Sequence, residues 1–287
     1  MSFQITTAFV EQYKNNIMML SQQKGTRLRG FVREESQTGE SAFYEQIGQV
    51  EARRAPSRHA DTPRMDTPHS RRRVTLESFD WADLIDRHDK VRMLIDPTSS
   101  YAQASAWAFG RAMDDTIIEA ATGTSYTGKK GTTAVALPSS QIIVNGGSNM
   151  SLQKLIDAKS LFGKADVDPD MQLHMAITQS QLDALLAVTE VKSADYNSVK
   201  ALVEGKVDTY MGFKFHRTER LLKTGNIRSC FAWVEDGILL AVGANPTAKI
   251  SERADKKYST QVYMDMDIGA TRMEEVKVVQ IDCDETA

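Results

Sequence analysis

The sequence predicts a mixed α+β protein, and three observations carry that reading. Stretches with strand-like alternation and β-branched or aromatic content, such as residues 42–50 and 73–82, are interleaved with helix-periodic stretches. No βαβ unit repeats and no internal repeat is found, so a doubly wound parallel sheet is not expected. The last 40 residues read as three successive strands, TAKISERA, STQVYMDMDIG and RMEEVKVVQIDCD.

Taken in order, residues Thr6 to Lys24 place Phe9, Tyr13, Ile17 and Leu20 at helical spacing, and Gly25 ends the run. The apolar stripe is narrow, so this helix needs a partner surface. Between the strands at 42–50 and 73–82 lies EARRAPSRHADTPRMDTPHSRR, with Met65 as its single large apolar residue and Pro56, Pro63 and Pro68 as punctuation. Such a segment buries too little to fold on itself, and a loop of that length is usually functional or disordered. An extended arm on a β-ribbon, ordered by lying on another subunit, is expected.

The strongest helix signal follows. Asp96 suits an N-cap, Pro97 the first turn and Gly123 the position past the end. Tyr101, Ala104, Ala108, Ala112 and Ile117 mark its expected inner face, with Gly110 as the weak link. A rod of about 26 residues reaches about 39 Å at 1.5 Å per residue. Beyond it, residues 123–140 read as a turn-rich excursion and QIIVNGG as a short strand into a glycine turn. Helices are expected at Ser151–Leu161 (stopped by Gly163), over SQLDALLAV and over ADYNSVKALVEG. Strands are expected at LHMAIT and at VDTYMGFKFHRTE, and a hairpin at CFAWVEDGILLAVG with Glu235-Asp236-Gly237 as its turn.

Composition excludes several classes. The 287 residues are 41% apolar and 25% charged, ordinary for a chain that buries a core. No run reaches the roughly 20 apolar residues of a membrane helix, and the N-terminus lacks the pattern of a signal peptide. Cys230 and Cys283 form no ligand-like cluster, so a reduced, cytosolic setting is expected. A net charge of −3 argues against coating nucleic acid by bulk electrostatics. Charge is nonetheless uneven. Arg53, Arg54, Arg58, Arg64, Arg71, Arg72 and Arg73 face only Asp61 and Asp66, a local +5, whereas the chain from Met264 onward carries −5. Pairing of the two, within a chain or between copies, is expected.

Catalytic signals are thin. Gly123-Thr-Ser-Tyr-Thr-Gly128-Lys129-Lys130 contains the G-x-x-x-x-G-K core of a phosphate loop, but Lys130 stands where Ser or Thr must ligate Mg²⁺. The motif also follows a helix rather than a strand. A nucleotide-binding enzyme using this loop is the alternative reading. His59, Asp61, Asp66 and His69 are metal-ligand types without metal-ligand spacing, and His88, His174 and His216 are scattered. Asp80, Asp83, Asp86 and Asp89 recur every third residue as an acidic helical stripe, a solvated face or a docking face for arginines. Arg71-Arg72-Arg73 lacks the aromatic interleaving of a base-stacking platform, which favours inter-subunit salt bridges.

The order of parts, an N-terminal arm, a basic ribbon loop, a rod helix, an α/β middle and a β-rich end, resembles the major capsid proteins of tailed double-stranded DNA bacteriophages. The likeness is carried by Met19-Leu-Ser-Gln-Gln-Lys-Gly25, Thr67-Pro-His-Ser-Arg-Arg-Arg73, Asp80-Trp-Ala-Asp-Leu-Ile-Asp86 and Val91-Arg-Met-Leu-Ile-Asp-Pro-Thr98. Ser193-Ala-Asp-Tyr-Asn197, Gly212-Phe-Lys-Phe215 and Val279-Gln-Ile-Asp-Cys-Asp284 extend it nearly end to end. The resemblance implies the Hong Kong 97-like fold: N-arm 1–40, extended loop 41–82, peripheral domain 83–129 with the spine helix, axial domain 130–244 and peripheral strands 245–287.

It further implies a structural role without enzymatic activity or cofactor, in hexamers and pentamers that tile an icosahedral shell around packaged double-stranded DNA. That DNA would be touched weakly and non-specifically. Assembly in the host bacterial cytoplasm, residence in the virion and no membrane contact belong to the same picture. The inter-subunit contacts expected are Arg53, Arg54, Arg58, Arg64, Arg71, Arg72 and Arg73 against Asp83, Asp86, Glu274 and Glu275. Two departures from some relatives are visible. No lysine lies between Lys24 and Lys90, which excludes a covalent cross-link through a loop lysine. No long scaffolding segment precedes the arm, so a separate scaffolding protein is expected beside a portal and a decoration protein.

Overall fold

The computed structural model describes residues 22–54, 57–58, 64–86, 98–187 and 209–286. Four strands come first: β1 (Arg33–Ser36), β2 (Ser41–Ile47), β3 (His69–Thr75) and β4 (Glu77–Ile85). Helix α1 (Thr98–Thr122), β5 (Ser125–Thr127), β6 (Thr133–Val135) and β7 (Ile142–Ile143) follow. Next are α2 (Leu152–Lys164), β8 (Leu173–Ile177), α3 (Gln179–Ala187), β9 (Thr209–Tyr210), β10 (Phe213–Arg217) and β11 (Lys223–Thr224). The chain closes with β12 (Ile227–Val234), β13 (Ile238–Arg253), β14 (Ser259–Arg272) and β15 (Val278–Asp284). The expected first helix up to residue 21, the Asp96–Pro97 helix start and the ADYNSVKALVEG helix lie outside the described residues, and Gln22, Gln23 and Lys24, expected to end that first helix, are not helical.

Three sheets result, in the orders β1-β13-β14-β4, β7-β15-β12-β8-β10-β9 (with β11 on β12) and β2-β3-β5-β6. One long antiparallel ribbon joins the first two. Its pairs run from Ile227↔Asp284 to Trp233↔Val278, then from Ile238↔Arg272 to Arg253↔Ser259 at the tip. The short hairpin expected at Glu235-Asp236-Gly237 therefore does not form. Those residues make a 3₁₀ turn beside a second one at Glu275–Lys277, and both sides of the ribbon step there from one sheet to the next. The physical reason is burial. Cys230–Val234 and Ile238–Val242 are both buried at every position, so each needs cover on both faces. Helices α1, α2 and α3 and the arm pack on Cys230–Val234, while Leu239 and Ala241 pack under Val74 and Leu76, and Leu240 joins the main core; a hairpin folded back on itself offers neither surface.

The expected strand at 73–82 is two strands. β3 pairs with β2 in the loop sheet, β4 pairs with β14, and Leu76 between them donates its N–H to Glu40 O at 2.8 Å. Gly269 lies beneath this crossing: a Cβ there would come within 2.3 Å of Thr75 O. Because β4 is a strand, Asp80, Asp83 and Asp86 do not form a helical stripe; positions three apart on a strand alternate faces. Gly163 sits inside the last turn of α2, which ends one residue later.

Helix α1 crosses the first sheet, and its 25 residues span about 38 Å. Its buried stripe is Ser105, Phe109, Met113, Ile117 and Ala121, one residue round from the expected face. Phe109 and Met113 pack on Met264, Met266 and Ile268 of β14, because large side chains gain more from burial than alanines do. The main core lies around the seven-stranded sheet, where Leu155, Phe162, Met175, Phe213, Phe231 and Trp233 meet Ile117 and Ile118 of α1.

A second face of α1 receives the arm. Gly110 lets Gly25 approach so closely that a Cβ would lie 2.5 Å from its carbonyl carbon. One turn on, the fully buried Asp114 carboxylate accepts from Thr26 Oγ1 at 2.5 Å, Arg27 N at 3.0 Å, Leu28 N at 3.1 Å and Gln23 Nε2. The carboxylate thus takes up amides at the arm's bend that would otherwise be orphaned.

Candidate assembly surfaces

The ribbon β2–β3 is rooted by charge. Arg72 is buried; its Nε donates to Met273 O at 2.9 Å and its Nη2 to both Glu275 oxygens at 2.5 and 2.7 Å. The Glu275 carboxylate also lies 3.9 Å from Nε of Arg272, which has no exposed surface. Arg272 donates to the carbonyls of Ala121 and Gly123 at 3.1 and 2.8 Å and to Val135 O at 3.1 Å. A guanidinium there complements the negative end of α1 and satisfies carbonyls that the helix leaves over. Loop root, ribbon and spine helix are thus joined through one buried group of charges. No sequence pattern marks Arg272, which looks like any base in an acidic tail.

The expected contact residues divide. Arg72 and Glu275 pair with each other inside one chain. Glu274 lies 3.0 Å from Lys277, and Asp86 accepts from Ser259 Oγ at 2.6 Å. Arg71 lies over the Phe43 ring and 3.8 Å from Glu45, and Arg73 lies over Tyr126. Arg53, Arg54, Arg58, Arg64 and Asp83 are exposed, and no cation is paired with Asp83 among the described residues. Close to these arginines in sequence, Ile47, Val50 and Met65 are 69%, 59% and 51% exposed.

An acidic surface not singled out by the sequence appears on the first sheet. On β14, Val262, Met264, Met266 and Ile268 are buried, the last three against α1, so Tyr263, Asp265 and Asp267 point the other way. Asp80 on β4 stands directly opposite Asp265. Burial and these three carboxylates push the Tyr263 phenol above its ordinary value. Among the described residues none of the three is paired with a cation, although Ser78 and Thr247 donate to Asp267 and Asp265.

The other candidates resolve as structure. Gly123–Lys130 runs into a hairpin, with β5 paired to β6 and to β3, instead of leaving a strand and opening a helix as a phosphate loop does. Among the described residues no group of three His, Cys, Asp or Glu side chains could hold a metal ion. His59, Asp61 and His88 lie outside those residues, and Asp66 and His69 are exposed. No described helix is long and apolar enough to cross a membrane.

Cys230 and Cys283 are buried on neighbouring strands at diagonal positions. Both are free thiols, and the Cys230 thiol is raised by its hydrogen bond with Cys283 and by burial. His174 and His216, scattered in sequence, meet at Nδ1···Nε2 3.0 Å beneath Phe31 and Trp233. Burial holds them down to about 4 and about 3, with the Lys214 ammonium adding to the effect at both, so one neutral ring donates to the other. Trp233 Nε1 donates to Phe31 O at 2.8 Å, which fastens the end of the arm to the second sheet.

A spine helix on a four-stranded sheet, a larger second sheet and a rooted ribbon loop make up the Hong Kong 97-like capsid fold. Solved capsids share it from end to end. The capsid of cyanophage P-SCSP1u superposes with a TM-score of 0.73 at 16% identity, over 97% of this chain and 94% of that one. The cyanophage Pam1 capsid gives 0.73 at 16% over 98% and 97%, and the Ralstonia phage GP4 capsid 0.74 at 9% over 96% and 95%. The chain belongs to the phage capsid protein family, whose model matches residues 5–285. No curated protein matches it in sequence.

Proposed function

We propose that this major capsid protein assembles as hexamers and pentamers into an icosahedral shell that encloses double-stranded DNA, without enzymatic activity. The observation that carries the reading is the ribbon loop: its root is buried, while Arg53, Arg54, Arg58 and Arg64 and the apolar Ile47, Val50 and Met65 are left exposed by the described residues of their own chain. Such a segment gains order by lying on a neighbour. The acidic face of Asp80, Asp265 and Asp267 is the complementary surface. Residues 1–40 act as the arm, 41–82 as the extended loop, 83–129 and 245–287 as the peripheral domain and 130–244 as the axial domain. Within 245–287, strand β15 is the exception to the peripheral assignment: it pairs with β12 and β7 in the axial sheet. A separate scaffolding protein, a portal and a decoration protein are its partners, assembly takes place in the host cytoplasm, and the product is the virion shell.

The test is electron microscopy with sedimentation of the protein expressed with and without a scaffolding partner. Closed shells or capsomer rings are expected; a monomer under every condition would refute the proposal. Charge reversal at Arg53, Arg54, Arg58 and Arg64 should block assembly while the subunit melts normally. Arg72 is left out of that set because its partner is Glu275 of the same chain.

A further inference from the structure

A cleft of about 690 Å³ opens between the arm, α1 and the edge of the second sheet, lined by Arg27, Arg111, Arg217 and Arg220 among glutamines and a threonine. Only Arg220 has a carboxylate, Asp115. The other three bond to neutral oxygens. Arg27 Nη1 donates to Arg217 O at 2.7 Å, Arg217 Nη1 to Gln179 Oε1 at 2.7 Å, and Arg111 Nη1 to Gln22 Oε1 at 2.9 Å and Gln23 O at 3.1 Å. Glu219, the single acid in the lining among the described residues, accepts from Gln179 N at 2.8 Å. Three guanidiniums are thus positioned by carbonyl and amide oxygens, with most of their N–H edges unused and no counter-ion among the described residues.

From this arrangement we infer that the cleft is a phosphate-backbone site for the enclosed double-stranded DNA, an inference that rests on the proposed shell function. The lining has no apolar residue. A bound peptide segment needs buried apolar anchors, whereas contacts to phosphate oxygens need only polar donors. Guanidinium forks match phosphate oxygens, and a few such contacts per subunit act without regard to sequence. With a net charge of −3, the rest of the chain repels DNA, so attraction is confined to local sites such as this one.

The experiment is a salt titration of short duplex DNA binding to full-length free subunits. Each phosphate neutralised contributes about 0.9 to the slope of log K against log salt. Arg217→Gln should lower the slope by about 0.9 with an unchanged melting temperature, Arg217→Lys should keep it, and Arg111→Gln with Arg217→Gln should lower it by about 1.8. An unchanged slope in the double variant would overturn the inference. Polyglutamate that binds more tightly than the duplex, and loses that binding in Arg217→Gln, would also overturn it by giving the cleft to an acidic protein segment. Shell formation is read separately by microscopy: shells with an unchanged slope sink only this inference, whereas absence of shells sinks the function.

Discussion

Replacing Gly110 by alanine sets two effects of opposite sign against each other. In an exposed helix interior the change stabilises by about 1 kcal/mol, because alanine has less backbone freedom to lose. Here the new Cβ would lie 2.5 Å from Gly25 C, 2.6 Å from Gly25 Cα and 2.7 Å from Thr26 N. All three are backbone atoms, so no rotamer change relieves the clash, and overpacking of this kind costs about 1–3 kcal/mol. The arm escapes only by lifting from α1. That would strip the Arg27 and Leu28 amides from Asp114, at about 1–3 kcal/mol each, and expose the fully buried Leu28, at about 1.5–3 kcal/mol.

Lifting therefore costs more than a strained shift, and the shift wins. The net expectation for Gly110→Ala is a loss of about 0–2 kcal/mol. Denaturant unfolding of free subunits would measure it, and hydrogen exchange at Arg27 and Leu28 should quicken. A gain of about 1 kcal/mol, the exposed-helix result, would refute the close crossing of arm and helix.

Two further outcomes follow from buried charge. Arg72→Gln should cost about 3–5 kcal/mol by stranding Glu275 and one side of the loop root, and Arg72→Met with Glu275→Leu should recover little of it, because the buried Arg272 then loses its carboxylate; chemical denaturation of the single and double variants checks both. The histidine pair gives a signed pH dependence. Both groups sit below the ordinary 6.5, so the folded chain keeps them neutral while the unfolded chain protonates, and stability is full above pH 6.5 and lost as pH falls from there towards about 3. At pH 5 the loss is about 2–4 kcal/mol for the two together, and His174→Gln should flatten the slope of unfolding free energy between pH 5 and pH 7.

What could be read from the sequence was whatever depends on near neighbours in the chain. Alternation placed β2, β8 and the closing strands. The misreadings share a cause: the deciding contact is distant in sequence. Glu235-Asp236-Gly237 has turn composition, and only the partner turn 40 residues later shows that the chain steps between sheets there. Gly110 looks like a flaw in α1 until Gly25 is laid across it. The inner face of α1 came out one residue off because alanine spacing counts positions and not volume. Asp80 reads as part of a stripe with Asp83 and Asp86, yet it faces Asp265, 185 positions away. Among the arginines, sequence offers no division between Arg72, buried at the root, and Arg53, Arg54, Arg58 and Arg64, exposed further out.

That division explains how a chain of modest net charge can serve as a building block. At its root the loop is held by Arg72, Glu275 and Arg272, and removing a partner from such a buried group costs several kcal/mol, so its direction is fixed before any neighbour arrives. In the proposed assembly the exposed tip arginines would contribute about 0–1 kcal/mol per contact, and only repetition around a closed shell would make them count. Root and tip substitutions should therefore separate cleanly: the first move the unfolding midpoint of isolated subunits, and the second leave it in place and change only assembly. Loss of subunit stability on replacing Arg53 or Arg54 would contradict this partition, as would an Arg72 variant of normal stability that fails to assemble.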